Sequence, residues 1–381
     1  MVDRVSFGVY IHIPFCRTKC TYCSFVIRPW QQETADRYCC ALVQELEHFF
    51  AADRSWGTAD TIYFGGGTPS LVPESDIARI LATCRRLFDV APDCEISLEA
   101  NPETVTESKI DAYRELGVNR ISIGAQTFED GELAQLGRSH TSQDIARSLI
   151  LARERGLENL NLDLLLGLPG QTPRHWTRNL QQLSKLAPPH VSLYMLDLDP
   201  KVPLYHSVAR GVSHLPDDDL VCDGYLRALR ELADCGYEQY EISNFAFAGF
   251  RCRHNLKYWL RQPVLGFGLG SHSFDGRSRY ANVSVLPRYF GAVESGNSPV
   301  EWLRPVDDGE DLQETLFLGL RLRQGLNWDQ VESRFGRGRI AKYEAALKTR
   351  SDEGLVEWQD PWIRLTPRGM LLSNEIFQEF I

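Results

Sequence analysis

The chain has 381 residues, with 41 basic and 51 acidic side chains and a formal charge of −10 at pH 7. That length exceeds one small core, so one large domain with an appendage is expected, and the acidic balance argues against a general nucleic-acid binder. No apolar run approaches the roughly 18 residues of a membrane span, and the opening MVDRVSFGVYIHIPF lacks the pattern of a secretory signal, so a cytoplasmic location is expected.

Strand-like runs and amphipathic helical patterns then alternate. Strands are expected at VYIHI (9–13), TIYF (61–64), EISLEA (95–100), RISIG (120–124), around 159–164, and at HVSLYML (190–196). Helices are expected near 33–50, 74–88, 106–116, 142–155 and 173–186, with turn and cap signals PES before the second, TES before the third and GQTP before the fifth. Six such units imply a parallel sheet. Several strands run directly into polar or glycine-rich text (YFGGGTP, LEANPE, GAQTF), which favours an α/β, partial TIM-like (β/α)6 barrel over an open doubly wound sheet.

Beyond about residue 215 the pattern changes. A helix near 217–235 leads to the strand-like YEQYEIS, then RCRHNLKYWL and the glycine-rich GFGLGSHS. From about 307 the text is helical, closing on two short strands and a final helix, which predicts a mostly helical, winged-helix-like module. The expected domains are a core barrel over 1–236, a barrel extension over 237–305 and a C-terminal domain over 306–381.

Three of the ten cysteines are crowded into HIPFCRTKCTYCSF, where Cys16, Cys20 and Cys23 follow the first strand. Structural zinc usually takes four soft ligands in CxxC pairs, and only one CxxC stands here. Three thiolates instead suit a [4Fe–4S] cluster with one iron left open to another ligand. The other cysteines are expected to be buried structural thiols: Cys39 and Cys40 on an amphipathic helix, and Cys84, Cys94, Cys222, Cys235 and Cys252 in isolation.

CxxxCxxC after the first strand, with GGGTP after the second, resembles the radical SAM superfamily. That resemblance implies S-adenosylmethionine (SAM) chelated by the open iron, with glycine backbone approaching its methionine end. It narrows to the branch holding the oxygen-independent coproporphyrinogen III oxidases and the HemW-type heme chaperones, carried by VYIHIPFC, YFGGGTPS, SLEANP, SIGAQTF, LGRSH and NLDLLLGLPGQT. Within these motifs the resemblance implies that Tyr10, Gly66, Gly67, Thr68, Glu99, Gln126, Arg138 and Asp163 contact SAM. Glu99 suits an ammonium, Arg138 a carboxylate and Asp163 the ribose hydroxyls.

Within the branch, the oxidase pattern carries a further cysteine two positions after the third, where this chain has Phe25. Only 15 residues precede Cys16, fewer than in the oxidase pattern, and HNLKYW (254–259) matches the HNxxYW motif associated with heme in the chaperones. The resemblance therefore implies a chaperone that binds heme and passes it to apo-hemoproteins, including membrane-associated ones, and that has no coproporphyrinogen oxidase activity. It also admits a homodimer, and no nucleic acid is expected as a partner. His254 is the candidate heme ligand, with Cys252, His272 and His12 as weaker candidates. Taken alone, Tyr258 and Trp259 on a helix are more often core anchors than porphyrin platforms.

Overall fold

The computed structural model describes residues 6–52 and 56–381. Residues 1–5, on which part of the leader argument rests, lie outside them.

Six strands alternate with five main helices: β1 (Phe7–Ile13), α1 (Gln32–Ala52), β2 (Thr58–Gly66), α2 (Glu74–Leu87), β3 (Asp89–Ala100), α3 (Glu107–Glu115), β4 (Arg120–Gln126), α4 (Ser142–Glu154), β5 (Asn159–Leu166), α5 (Pro173–Leu186) and β6 (His190–Met195). The six strands pair parallel in chain order, β1 to β6. The caps expected at TES and GQTP form, Thr106 accepting from the Lys109 N–H and Thr172 from that of His175, whereas PES gives no side-chain cap because α2 starts directly after Pro73; Thr141 with Asp144 makes a further capping box.

Each strand alternates apolar and polar side chains. Ile62, Ile96, Leu98, Ile121, Ile123, Leu160, Leu162, Val191 and Leu193 belong to the main buried apolar cluster, the face that parallel strands cover with helices. The other face carries Glu95, Ser97 and Glu99 on β3, Arg120 and Ser122 on β4, Asn161 and Asp163 on β5, and Ser192 on β6. These lie in register: Ser97 opposite Arg120, Glu99 opposite Ser122, and Asp163 opposite Ser192. The barrel interior is therefore a polar chamber rather than the packed layers of branched residues of a closed TIM barrel.

The sheet continues at both ends into 12 strands. Past β6, Asn244–Ala246 pairs antiparallel, followed by the two-residue strand Glu238–Gln239. The expected strand through YEQYEIS is thus corrected: the chain bends at 242–243, and Glu241 makes only an isolated bridge with Leu322. On the other side Val264–Phe267 runs parallel to β1, and His272–Phe274, Ser278–Asn282 and Val300–Pro305 follow antiparallel. α6 (Asp218–Asp234) precedes the first flank, and between the two flanks in the chain lies α7 (Arg253–Trp259), which carries HNLKYW.

The C-terminal region has helices at Asp308–Gly319, Trp328–Phe335 and Arg337–Asp352. A three-stranded antiparallel sheet of Leu326–Asn327, Trp362–Leu365 and Val356–Gln359 packs with them. The expected final helix is two short ones, Pro367–Leu371 and Ser373–Gln378. Three cysteine expectations are also corrected. Cys40 and Cys235 are exposed and Cys222 half-exposed, while Cys39, Cys84, Cys94 and Cys252 are buried. Cys40 sits one residue off the buried stripe of α1, where its sulfur meets the Arg79 guanidinium at 3.1 Å. No helix among the described residues is long and apolar enough to cross a membrane.

Candidate functional site

A cavity of about 320 Å³ opens at the C-terminal ends of the strands and reaches down into the barrel. Ten of the predicted residues line it: Cys16, Cys20, Cys23, Gly66, Gly67, Thr68, Glu99, Gln126, Arg138 and Asp163. Tyr10 and His254 do not. They stand behind Tyr63, a cavity residue that the sequence motifs did not single out.

The thiol loop leaves β1 at the cavity mouth. Burial pushes the Cys16 thiol up to about 11, against a hydrogen bond from the Thr68 hydroxyl at 3.5 Å, and burial also raises Cys20. Among the described residues no three His, Cys, Asp or Glu side chains converge on a single ion. Thiolates at three corners of a cubic cluster need not converge in that way, whereas a tetrahedral zinc demands it. Soft donors on one short loop, beside a turn that admits backbone approach, fit an iron–sulfur cluster.

The loop is held from below by His12. Its Nε2 donates to the Val26 carbonyl at 2.9 Å, so Nδ1 accepts the Tyr10 hydroxyl at 3.1 Å, and burial keeps the ring neutral by lowering its pKa. The same ring underlies Gly66, whose φ of +115° belongs to the glycine region and whose added Cβ would come 2.5 Å from His12. Gly67 is closed in likewise, an added Cβ meeting the Phe15 carbonyl oxygen at 2.7 Å.

Glu99 sits at the centre. Its carboxylate accepts from the Tyr63 hydroxyl at 2.9 Å and the Gly66 N–H at 3.0 Å. Burial, with Asp163 nearby, nonetheless pushes it up to about 7. Asp163 is also raised by burial and takes hydrogen bonds from Asn161 (2.8 Å) and Ser122 (3.1 Å). Arg138 donates to Asn101 (2.8 Å) and the Tyr22 hydroxyl (2.7 Å), while its buried Nε has no partner. Gln126 ends β4 at φ +67°, a strained conformation of the kind that collects at functional sites. Two half-buried carboxylates lining a cavity and a guanidinium with a free N–H have the donor set to suit a ligand carrying ammonium, carboxylate and hydroxyl groups.

The barrel floor is α7. Glu95 accepts the N–H groups of Arg253 and His254, each at 3.0 Å, and Lys257 is buried against Asp60 at 2.7 Å. His254 is buried, and both its ring nitrogens have hydroxyl partners, Thr61 at 2.8 Å and Tyr258 at 3.2 Å. Burial lowers its pKa to about 3, so the imidazole is neutral. The core-anchor expectation is corrected: Trp259 is half-buried, outside the apolar clusters, and takes the Arg321 guanidinium over its ring at 4.3 Å, and Tyr258 is 37% exposed. Cys252 and Asn255 line the bottom of the cavity. Phe25, by contrast, is 66% exposed at the mouth.

An open parallel barrel with thiols after its first strand and a glycine turn after its second defines a radical SAM protein. The family model described as the radical SAM superfamily matches residues 10–183, and that of the HemN C-terminal domain matches 306–372. The chain is 36% identical to the heme chaperone HemW of Bacillus subtilis, over 98% of this chain and 99% of that one. It is 38% identical to the heme chaperone HemW of Haemophilus influenzae, over 98% and 97%. The solved coproporphyrinogen III oxidase HemN of Escherichia coli superposes with a TM-score of 0.87 at 25% identity, over all of this chain and 91% of that one. This chain belongs to the HemW family.

Proposed function

We propose that the protein binds heme and hands it to apo-hemoproteins, with a [4Fe–4S] cluster on Cys16, Cys20 and Cys23 and SAM in the adjoining cavity. The observation that carries the chaperone reading is near-full-length similarity to relatives named heme chaperone HemW. The exposed Phe25, where the oxidase pattern has a cysteine, supports it.

In this reading the cluster supplies a chelating iron and an electron. The chain's own residues do the rest. Glu99 takes the amino group, Arg138 the carboxylate through its free Nε, and Asp163 the ribose hydroxyls, while Gly66, Gly67 and Thr68 bring backbone close. Gln126 closes the side of the cavity, and Tyr10 steadies the mouth through His12. An axial role for His254 would require its ring to leave Thr61 and Tyr258. The protein acts in the cytoplasm, and its acceptors include membrane-associated apoproteins.

The test is transfer. Heme-loaded protein, separated from free heme, is mixed with an apo-hemoprotein, and the Soret bands of donor and acceptor are followed after resolving the two. Holo-acceptor appearing faster than heme leaves the donor in buffer supports transfer; equal rates mean simple release and count against it.

The shared fold with HemN favours one alternative, oxidative decarboxylation of coproporphyrinogen III by the same cavity.

A further inference from the structure

HNLKYW lies under the SAM cavity, and its histidine is in contact with the cavity wall. The His254 ring stacks on Tyr63, centroids 5.0 Å apart and planes 26° from parallel, and Tyr63 in turn stacks on Tyr10 at 6.2 Å. Tyr63 carries the hydroxyl that donates to Glu99. Two glycines make room for this cluster of three rings. At Gly8 an added Cβ would meet Thr61 Oγ1 at 2.8 Å and His254 Nδ1 at 3.1 Å. At Gly65 it would meet Tyr10 and Tyr63 at 3.0 Å and Glu99 at 3.2 Å. The His254 ring is itself fixed at three points: its backbone N–H by Glu95, and its two ring nitrogens by Thr61 and Tyr258.

From this geometry we propose that His254 is a positioning residue for SAM. It clamps the Tyr63 ring so that the phenol holds Glu99 in the orientation that receives the SAM amino group. The Tyr10 and His254 rings are themselves 6.4 Å apart, so the three rings close a triangle in which His254 fills the space beside Tyr63 and limits how far the phenol can turn its hydroxyl away. Without the histidine, Tyr63 gains a void to swing into, and Glu99 keeps only the Gly66 N–H. The motif thus serves the cofactor site from behind, which accounts for a histidine with no exposed nitrogen.

The inference rests on the SAM reading, and the two fail differently. SAM affinity is measured by equilibrium dialysis on anaerobically reconstituted protein, with iron content and thermal unfolding recorded for each variant. Wild type that does not bind SAM overturns the SAM reading itself. If wild type binds, His254→Ala should weaken binding about tenfold at full iron content, and so should Tyr63→Phe. The double variant should be no weaker than about the worse single one, because both act through one hydroxyl. His254→Phe, which keeps a ring against Tyr63, should recover affinity to within about threefold of wild type, and it carries the test if the alanine variant does not fold. Undiminished SAM affinity in a cluster-loaded His254→Ala protein overturns the proposal. So do losses that simply multiply in the double variant, or a changed heme spectrum with SAM affinity intact.

Discussion

Tyr63 and Glu99 stand on neighbouring strands, and the phenol donates to the carboxylate at 2.9 Å inside the barrel chamber. That hydrogen bond favours the charged carboxylate, yet burial and Asp163 outweigh it and hold Glu99 near 7. The phenols of Tyr10, Tyr194 and Tyr258 also face it and are themselves pushed up. An arriving ammonium supplies the missing charge.

SAM binding should therefore tighten as pH rises through about 7 and release a proton from Glu99 near and below that pH. The slope should approach about tenfold per unit at pH 6 and flatten by pH 8. Because the folded pKa is raised, protonated Glu99 favours the SAM-free folded state below about 4.5, and that contribution is lost as pH climbs through 7. Dialysis from pH 6 to 8 checks the first, and thermal unfolding without SAM the second. Glu99→Gln should flatten both profiles.

The thiol loop should account for all the iron. Replacing Cys16, Cys20 and Cys23 together by serine should abolish the broad visible absorption of reconstituted protein, where wild type carries about four iron and four sulfide. Cys39→Ser with Cys40→Ser should retain it. An essential role for that second pair would move the ligand set elsewhere.

Gly66 has no room for a side chain. Gly66→Val places a branched carbon where the His12 ring lies and imposes a φ that valine disfavours. SAM affinity should fall by at least about tenfold, and the EPR spectrum of the reduced cluster should no longer respond to added SAM.

The barrel floor should be sensitive to charge. Lys257 is 2% exposed and paired with Asp60 at 2.7 Å, so Lys257→Ala leaves a half-buried carboxylate with only the longer Arg253 contact at 3.9 Å. Stability should drop by about 3 kcal/mol, at the low end for a broken buried pair because Asp60 keeps some solvent. Urea unfolding measures it, and Lys257→Arg should lose less.

The barrel was legible because its signals are local. TES and GQTP give caps at Thr106 and Thr172, and the apolar half of each strand's alternation marks the face beneath the helices. The polar half was legible too, but its meaning was not. Thr61, Tyr63, Ser97 and Ser122 read as ordinary alternation until the register places them around one chamber. Tyr63 was missed because its role depends on Glu99, 36 residues away, and on a histidine 191 residues away (254 − 63). The flanking strands at 264–305 escaped because they are short and mixed in polarity, held in the sheet by partners remote in sequence. HNLKYW was recognised as a motif, but which way its histidine points is a tertiary fact.

The most direct measurement offers reconstituted protein, SAM and a working reductant either coproporphyrinogen III or heme, in parallel. The account predicts a Soret band from bound heme and no carbon dioxide or protoporphyrinogen IX from the porphyrinogen. Robust decarboxylation, with no heme retained after gel filtration, would contradict it.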